Sequence, residues 1–503
     1  MAQKIGQVIM PRIDFNDPNS LPLAKRLVKE CEVGGFIIFN GNRDIVTTAT
    51  RELQAVSEIP LLFGCDAERG LGQIVSDMML FPFTMSLGAA RDEDLVYNQA
   101  GFIAREMKEC GLNLLFAPVA DVNTNPDNPI INIRSYGDDP ELVSRLCVAF
   151  IKGCQEGGVL ACAKHFPGHG RTGVDSHVDL PVLSISKKIL LNSDLIPFEK
   201  SIEAGVASIM TAHIAFPEIG DGNAVTISKG LVSDLLREEM GYQGLIITDS
   251  LHMEGISKLG KQESLSRRAL NAGCDIVLDP KDPYTLIQNL SKSSYQELDE
   301  SRLNPSVERI ISIKNKWLTR DTPSGSKIKE QGIDLRERIA RRSVCVVRGG
   351  VLKSQKACVY TFDVTQSNAD ISSAFNEHLE EAGVRLEKRS NSLNDSLNKK
   401  EPITDNISDD TAIICLLYTS IGAWEKQSFL PDSFKDILTE LESIPKETVL
   451  ISFGSPYVVR DFGNFKTVIC SFDSLSECQR AVADVLLGKV ESQGRLPVSL
   501  NLN

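Results

Sequence analysis

Through its first three hundred residues the chain alternates short apolar runs with amphipathic stretches. That alternation restricts the fold more than any other feature. Strands are predicted at about 8–10, 35–39, 61–64, 114–118, 160–163, 208–211, 245–248 and 275–278. Between them lie stretches such as LVYNQAGFIAREMKECG (95–111) and ISKGLVSDLLREEMG (227–241). Each has helical spacing and closes on a glycine, the residue that best tolerates a helix C-terminus. Strands that alternate with helices are joined by crossovers and so lie parallel. About eight such units fit a (β/α)8 barrel. An open doubly wound sheet uses the same alternation and is the alternative.

Polar residues terminate these runs. Asp66 follows LLFGC, Asp121 follows LLFAPVA, and Lys164 and His165 follow VLACA. His213 follows SIMTA, and Asp249 follows GLIIT. Barrel enzymes keep their chemistry at the carboxyl ends of the strands, so the recurrence points to a site there.

A chain of 503 residues is too long for one core, so two or more domains are expected. The stretch TRDTPSGSKIKEQ (319–331) is polar and carries Pro, Gly and Ser, as linkers do. The predicted organisation is a barrel over 1–318, a linker over 319–333 and a C-terminal α/β sandwich over 334–503. Within the last segment DLRERIARRSVCVVRGG begins with a helix and continues as a strand. KACVYTFDV, TAIICLLYTS, ETVLISFGSPYVV and FKTVICSF read as buried strands of a parallel sheet. The polar stretch 392–411 reads as a surface excursion.

The net charge is −13, which argues against a nucleic-acid partner and against an anionic membrane surface. No stretch approaches the roughly 20 apolar residues of a membrane span, and the N-terminus has no signal-peptide pattern. The 12 cysteines form no CxxC pair, and many sit in apolar runs. They read as small buried hydrophobes of a reducing compartment, which suggests the cytoplasm.

Three of the six histidines, His165, His169 and His177, fall within KHFPGHGRTGVDSH (164–177). Asp175 stands two residues before His177, and in an extended or turning loop such side chains can share a face. A carboxylate bonded to one ring nitrogen fixes the tautomer and favours the charged ring. The other nitrogen can then exchange a proton near neutral pH. Gly168, Gly170 and Gly173 would let such a loop move. A zinc site is disfavoured, because Pro167 and Gly168 break the helix that an H-x3-H spacing needs. Asp249 leaves an apolar strand, where it can serve as nucleophile or base, or simply cap the helix that follows.

KHFPGHG, the DSH that follows it and TDSLHMEG (248–255) closely resemble glycoside hydrolase family 3, in its β-N-acetylglucosaminidase branch. DAERGLGQ (66–73), residues 111–140, RIARRSVCVV, SFGSPYVV and GRLPVSL are similar to the same family, so the likeness spans nearly the whole chain. The resemblance implies that Asp249 is the nucleophile, His177 the general acid/base and Asp175 its dyad partner. It implies that Asp66, Arg134, Lys164 and His165 hold hydroxyls of the nonreducing-end sugar. It implies a carbohydrate substrate and neither metal nor organic cofactor.

The expected activity is that of a retaining β-N-acetylhexosaminidase releasing N-acetylglucosamine, from muropeptides or chito-oligosaccharides. A neutral imidazole base does not repel anions as a carboxylate would, so phosphorolysis on the same scaffold is one alternative. A barrel that binds sugar without cleaving it is another. Three positions depart from the family pattern, the first being Arg69 with a single Gly70 where a double glycine is usual. Ile74 replaces an arginine, with Arg69 a candidate substitute, and Ser250 replaces a second aspartate.

Overall fold

The computed structural model describes residues 2–292, 298–318, 328–365, 370–392, 407–421 and 430–500. By internal contacts the chain divides into two compact units. The first comprises Met1–Phe81, Glu93–Asn128 and Pro140–Gly332. The second comprises Pro82–Asp92, Pro129–Asp139 and Ile333–Asn503.

In the first unit β1 (Ile9–Met10) is separated by Pro11 from β2 (Arg12–Asp14). Parallel pairing then runs in chain order from β2 through β3 (Gly35–Phe39), β4 (Leu62–Cys65), β5 (Leu114–Leu115), β6 (Leu160–Phe166) and β7 (Ser208–Thr211) to β8 (Leu245–Thr248). Ile247 of β8 bridges Ile276, which leads into β9 (Val277–Leu278), and β9 pairs with β1. β9 thus lies beside the strand that precedes β2 in the chain, and the parallel sheet is curled. Proline has no N–H for the ladder, which accounts for the break between β1 and β2.

Strands β4 to β8 are buried at every position, as expected of a parallel sheet covered by crossover helices. The helix Arg43–Val56 shows how the sequence builds that cover. Asn42 caps it by accepting from the Ile45 N–H, and Val46, Ala49, Thr50 and Leu53 form its buried face. The glycines expected to end two helices do so. Gly111 (φ 73°) follows the helix Glu93–Glu109, and Gly241 (φ 67°) follows the π-wound helix Gly230–Glu239.

The second unit holds a six-stranded sheet. Its strands are β10 (Cys345–Arg348), β11 (Lys356–Asp363), β12 (Arg385–Ser392), β13 (Thr411–Tyr418), β14 (Thr448–Phe453) and β15 (Thr467–Ser471). They lie in the order β10-β15-β14-β13-β11-β12. Alternate residues feed opposite cores. Cys358, Tyr360 and Phe362 join Phe434 and Leu438 of the helix Asp432–Glu442. Ala357 and Val359 join Phe375 of Ser373–Glu381 and Val482 of Ser476–Leu486.

Two features depart from the sequence reading. β10 pairs antiparallel with β15, and β12 was not foreseen. Among the described residues β12 (RLEKRSNS) pairs only with β11, and an edge strand of that kind tolerates the charges that hide it from an apolar pattern. Of the predicted linker, 319–327 lies outside the described residues and 328–333 opens the helix Ile328–Ser343. The excursion read at 392–411 has 393–406 outside the described residues.

The chain crosses between units twice before the linker. Segment 82–92 is tied to the second unit by Phe83 N on Asp473 Oδ2 (3.0 Å) and Arg495 N on the Ala89 carbonyl (3.0 Å). Segment 129–139 is tied to it by Asp138 N on the Pro497 carbonyl (3.0 Å). Among the described residues, no helix is long and apolar enough to cross a membrane.

Candidate active site

In the first unit the carboxyl ends of β4, β6 and β8 present Asp66, Lys164 with His165, and Asp249. Lys164 is 2 % exposed, and its Nζ lies 2.7 Å from both Asp66 Oδ1 and Glu68 Oε1. Two carboxylates thus fix one buried ammonium. Asp66, 37 % exposed, is left with an oxygen that can meet a ligand.

His165 is held from the other side by Asp121. Its Nδ1–H donates to Asp121 Oδ2 (2.7 Å), and its backbone N–H donates to Oδ1 (3.1 Å). The His169 N–H donates to that same Oδ1 (2.6 Å). Burial works to raise the Asp121 pKa. His165 and His169 outweigh it and hold the carboxyl below its ordinary value. Asp121 therefore staples the start of the histidine segment, and it leaves His165 Nε2 for other work.

His169 is a satisfied interior histidine. Nδ1 meets Thr172 Oγ1 at 2.8 Å and Nε2 meets Ser176 Oγ at 2.9 Å. Burial pushes its pKa down to about 4, so the ring is neutral at physiological pH. Both nitrogens are occupied. Among the described residues, no three or more His, Cys, Asp or Glu side chains are grouped to hold a metal ion.

Ser176 separates Asp175 from His177. Asp175 Oδ1 accepts from His177 Nδ1–H and from the His177 backbone N–H, both at 2.8 Å. The i, i+2 pair expected from the sequence is formed. The imidazole side chain is 21 % exposed, and Nε2 is the ring nitrogen not bound to Asp175.

Asp249 stands at the end of β8. Its Oδ1 accepts from the Ser250 N–H at 2.7 Å. Burial works to raise its pKa. The neighbouring imidazoles of His165, His213 and His177, with the Ser250 N–H, outweigh it and hold the carboxyl below its ordinary value. Asp249 is thus kept ionised, within electrostatic reach of His177.

Ser250 is itself fixed. Its hydroxyl donates to Asp279 Oδ2 (2.6 Å), and its carbonyl accepts from His213 Nε2–H (3.0 Å). Asp279 is held by Arg12 through Nε (2.7 Å) and Nη2 (2.5 Å). His213 is buried and its pKa is lowered, chiefly by burial. With Nε2 protonated, its Nδ1 accepts from the Thr226 hydroxyl at 2.7 Å.

The structure thus brings together Asp66, Lys164, His165, Asp175, His177 and Asp249. Arg134 lies on the short helix Asn132–Arg134 of the second unit, where Nη1 donates to the Ile130 carbonyl (2.9 Å). Arg69 is buried, and its Nε is engaged by the Phe81 carbonyl (2.9 Å). Glu68, Asp279 and Arg12 were not singled out from the sequence. Asp121 and His213 were marked only as strand ends.

Residues 1–313 match the glycosyl hydrolase family 3 N terminal domain. The chain is 33 % identical over 330 residues to "Beta-hexosaminidase A" of Pseudoalteromonas piscicida, covering 59 % of this chain and 55 % of that protein. It is 34 % identical over 278 residues to "Beta-hexosaminidase" of Thiobacillus denitrificans, covering 53 % of this chain and 77 % of that one. A solved β-N-acetylglucosaminidase of glycoside hydrolase family 3 from Paenibacillus sp. superposes with a TM-score of 0.84 at 28 % identity. That match covers 100 % of this chain and 99 % of the other. With more than half of its length matched and its curled parallel sheet shared, the chain belongs to glycosyl hydrolase family 3, a family of enzymes.

Proposed function

We propose that the chain is a retaining β-N-acetylhexosaminidase that releases N-acetylglucosamine from the nonreducing end of its substrate. The carrying observation is an ionised Asp249 within electrostatic reach of a histidine whose Nδ1 is bound to Asp175. Asp249 attacks the anomeric carbon, and the glycosidic C–O bond breaks with its electron pair going to the leaving oxygen. That oxygen takes the proton from His177 Nε2–H. The neutral imidazole then takes a proton from water as the water attacks the glycosyl ester, which returns Asp249 as a carboxylate.

Asp175 stabilises the imidazolium before the first step and fixes the tautomer for the second. Asp66, Lys164 and His165 hold sugar hydroxyls. For Arg134 that role rests on the sequence resemblance. The architecture proposed is a (β/α)8 barrel with a C-terminal α/β sandwich. Muropeptides or chito-oligosaccharides are the proposed substrates. The cytoplasm suits 12 buried free thiols.

The test is turnover of 4-nitrophenyl N-acetyl-β-glucosaminide, with and without phosphate. Release of N-acetylglucosamine with retained configuration supports the reading. Sugar 1-phosphate as the main product would redirect it to phosphorolysis. Tight sugar binding with no turnover would overturn it.

A further inference from the structure

The dyad loop docks on the backbone that follows the nucleophile. The Glu254 N–H donates to the His177 carbonyl (3.3 Å), and the Gly255 N–H donates to the Ser176 carbonyl (3.2 Å). These amides open the short helix Glu254–Ser257, so no earlier turn supplies them with carbonyls. Lys258 reinforces the contact, with Nζ on the Val178 carbonyl (2.9 Å) and on Asp179 Oδ1 (3.1 Å).

Position 255 has room for nothing larger than glycine. A Cβ there would lie 2.6 Å from the Ser176 carbonyl oxygen and 2.9 Å from that of Asp179. Both are backbone atoms of the dyad loop, and neither can swing aside as a side-chain tip could.

We propose that Gly255 is a positioning residue for proton transfer: its bare backbone admits the loop that holds His177 against the segment carrying Asp249. This rests on the hexosaminidase reading above. Nucleophile and proton donor come from places 72 positions apart in the chain, so their spacing needs a contact of this kind. Alanine favours helices more than glycine does, so Gly255→Ala does not weaken the helix itself. It acts by lifting the loop.

The test compares substrates whose leaving groups differ in their need for a proton. Gly255→Ala should lose roughly 10- to 100-fold in kcat/KM on chitobiose, the scale of a displaced catalytic group. It should lose less than about threefold on the dinitrophenyl glycoside, which leaves without protonation. Lys258→Ala, a change at an exposed side chain, should show the same pattern more weakly. It serves if the glycine variant does not fold. Equal losses on both substrates, or no loss on either, would overturn the proposal. If His177→Ala shows the leaving-group signature and neither docking variant does, the inference alone falls. If His177→Ala lacks it, the hexosaminidase reading falls and takes the inference with it.

Discussion

The end of β8 and the segment 170–181 carry the two halves of the proposed chemistry, and they are held in different ways. Asp249 leaves a fully buried strand, and the next residue is fixed through its N–H, its hydroxyl and its carbonyl. His177 sits on a partly exposed loop and is oriented by a carboxylate only two residues away. Further supports include His169 on Ser176, the backbone contacts with Glu254 and Gly255, and Lys258 on the Val178 carbonyl. The difference fits the two tasks. A nucleophile must meet one carbon at bonding distance, where small misplacement is costly. A proton donor needs only hydrogen-bond reach, and local pairing lets donor and partner move as one piece.

That contrast can be broken by substitution. The largest effect is expected at the rigid end. Asp249→Ala should lower kcat/KM by about 10⁴-fold or more on every leaving group, because no bond to carbon can form without it. Steady-state rates within tenfold of the parent would exclude Asp249 as nucleophile. On the loop, His177→Ala should cost roughly 10²- to 10³-fold with a poor leaving group and far less with dinitrophenol. A flat response across leaving groups would place the acid elsewhere.

A third effect concerns stability. His169 is neutral in the folded chain, with its pKa lowered to about 4 from 6.5. Between those values the unfolded chain binds the extra proton, so stability is complete above about pH 6.5 and falls as pH drops towards 4. At full extent this amounts to roughly 3 kcal/mol. Urea unfolding across that range should show the decline, and His169→Gln should flatten it. An unchanged slope in the variant would mean that His169 does not carry the effect.

The smallest effect is one of dynamics. Backbone amides of β8 should exchange hydrogen at least about tenfold more slowly than those of 171–180, since buried strand amides open last. Equal protection would remove the contrast.

What the sequence disclosed follows the same division. The runs at 35–39, 208–211 and 245–248 coincide with β3, β7 and β8, because buried parallel strands leave unbroken apolar stretches. The Asp175–His177 pair was legible because its partners are two residues apart. Asp121 was visible as a polar strand end, but nothing local ties it to His165, 44 positions later. Glu68 sits in plain view beside Asp66. Its bond to Lys164 is a tertiary fact. Asp279 was not singled out, and its place depends on Arg12, 267 positions earlier. Arg69 reads as a candidate substitute at position 74, and its burial with Nε on the Phe81 carbonyl is again a tertiary fact. Contacts that span long stretches of chain leave no mark in a pattern of neighbours.

Trapping the intermediate tests the account most directly. The enzyme would be incubated with a 5-fluoro-N-acetylglucosaminyl fluoride, which forms the glycosyl ester readily and hydrolyses slowly, and then digested for peptide mass spectrometry. The account predicts one sugar per chain, attached to Asp249 and absent from Asp249→Asn. A sugar attached to another residue, or steady turnover of the same reagent with no adduct at any time, would contradict it.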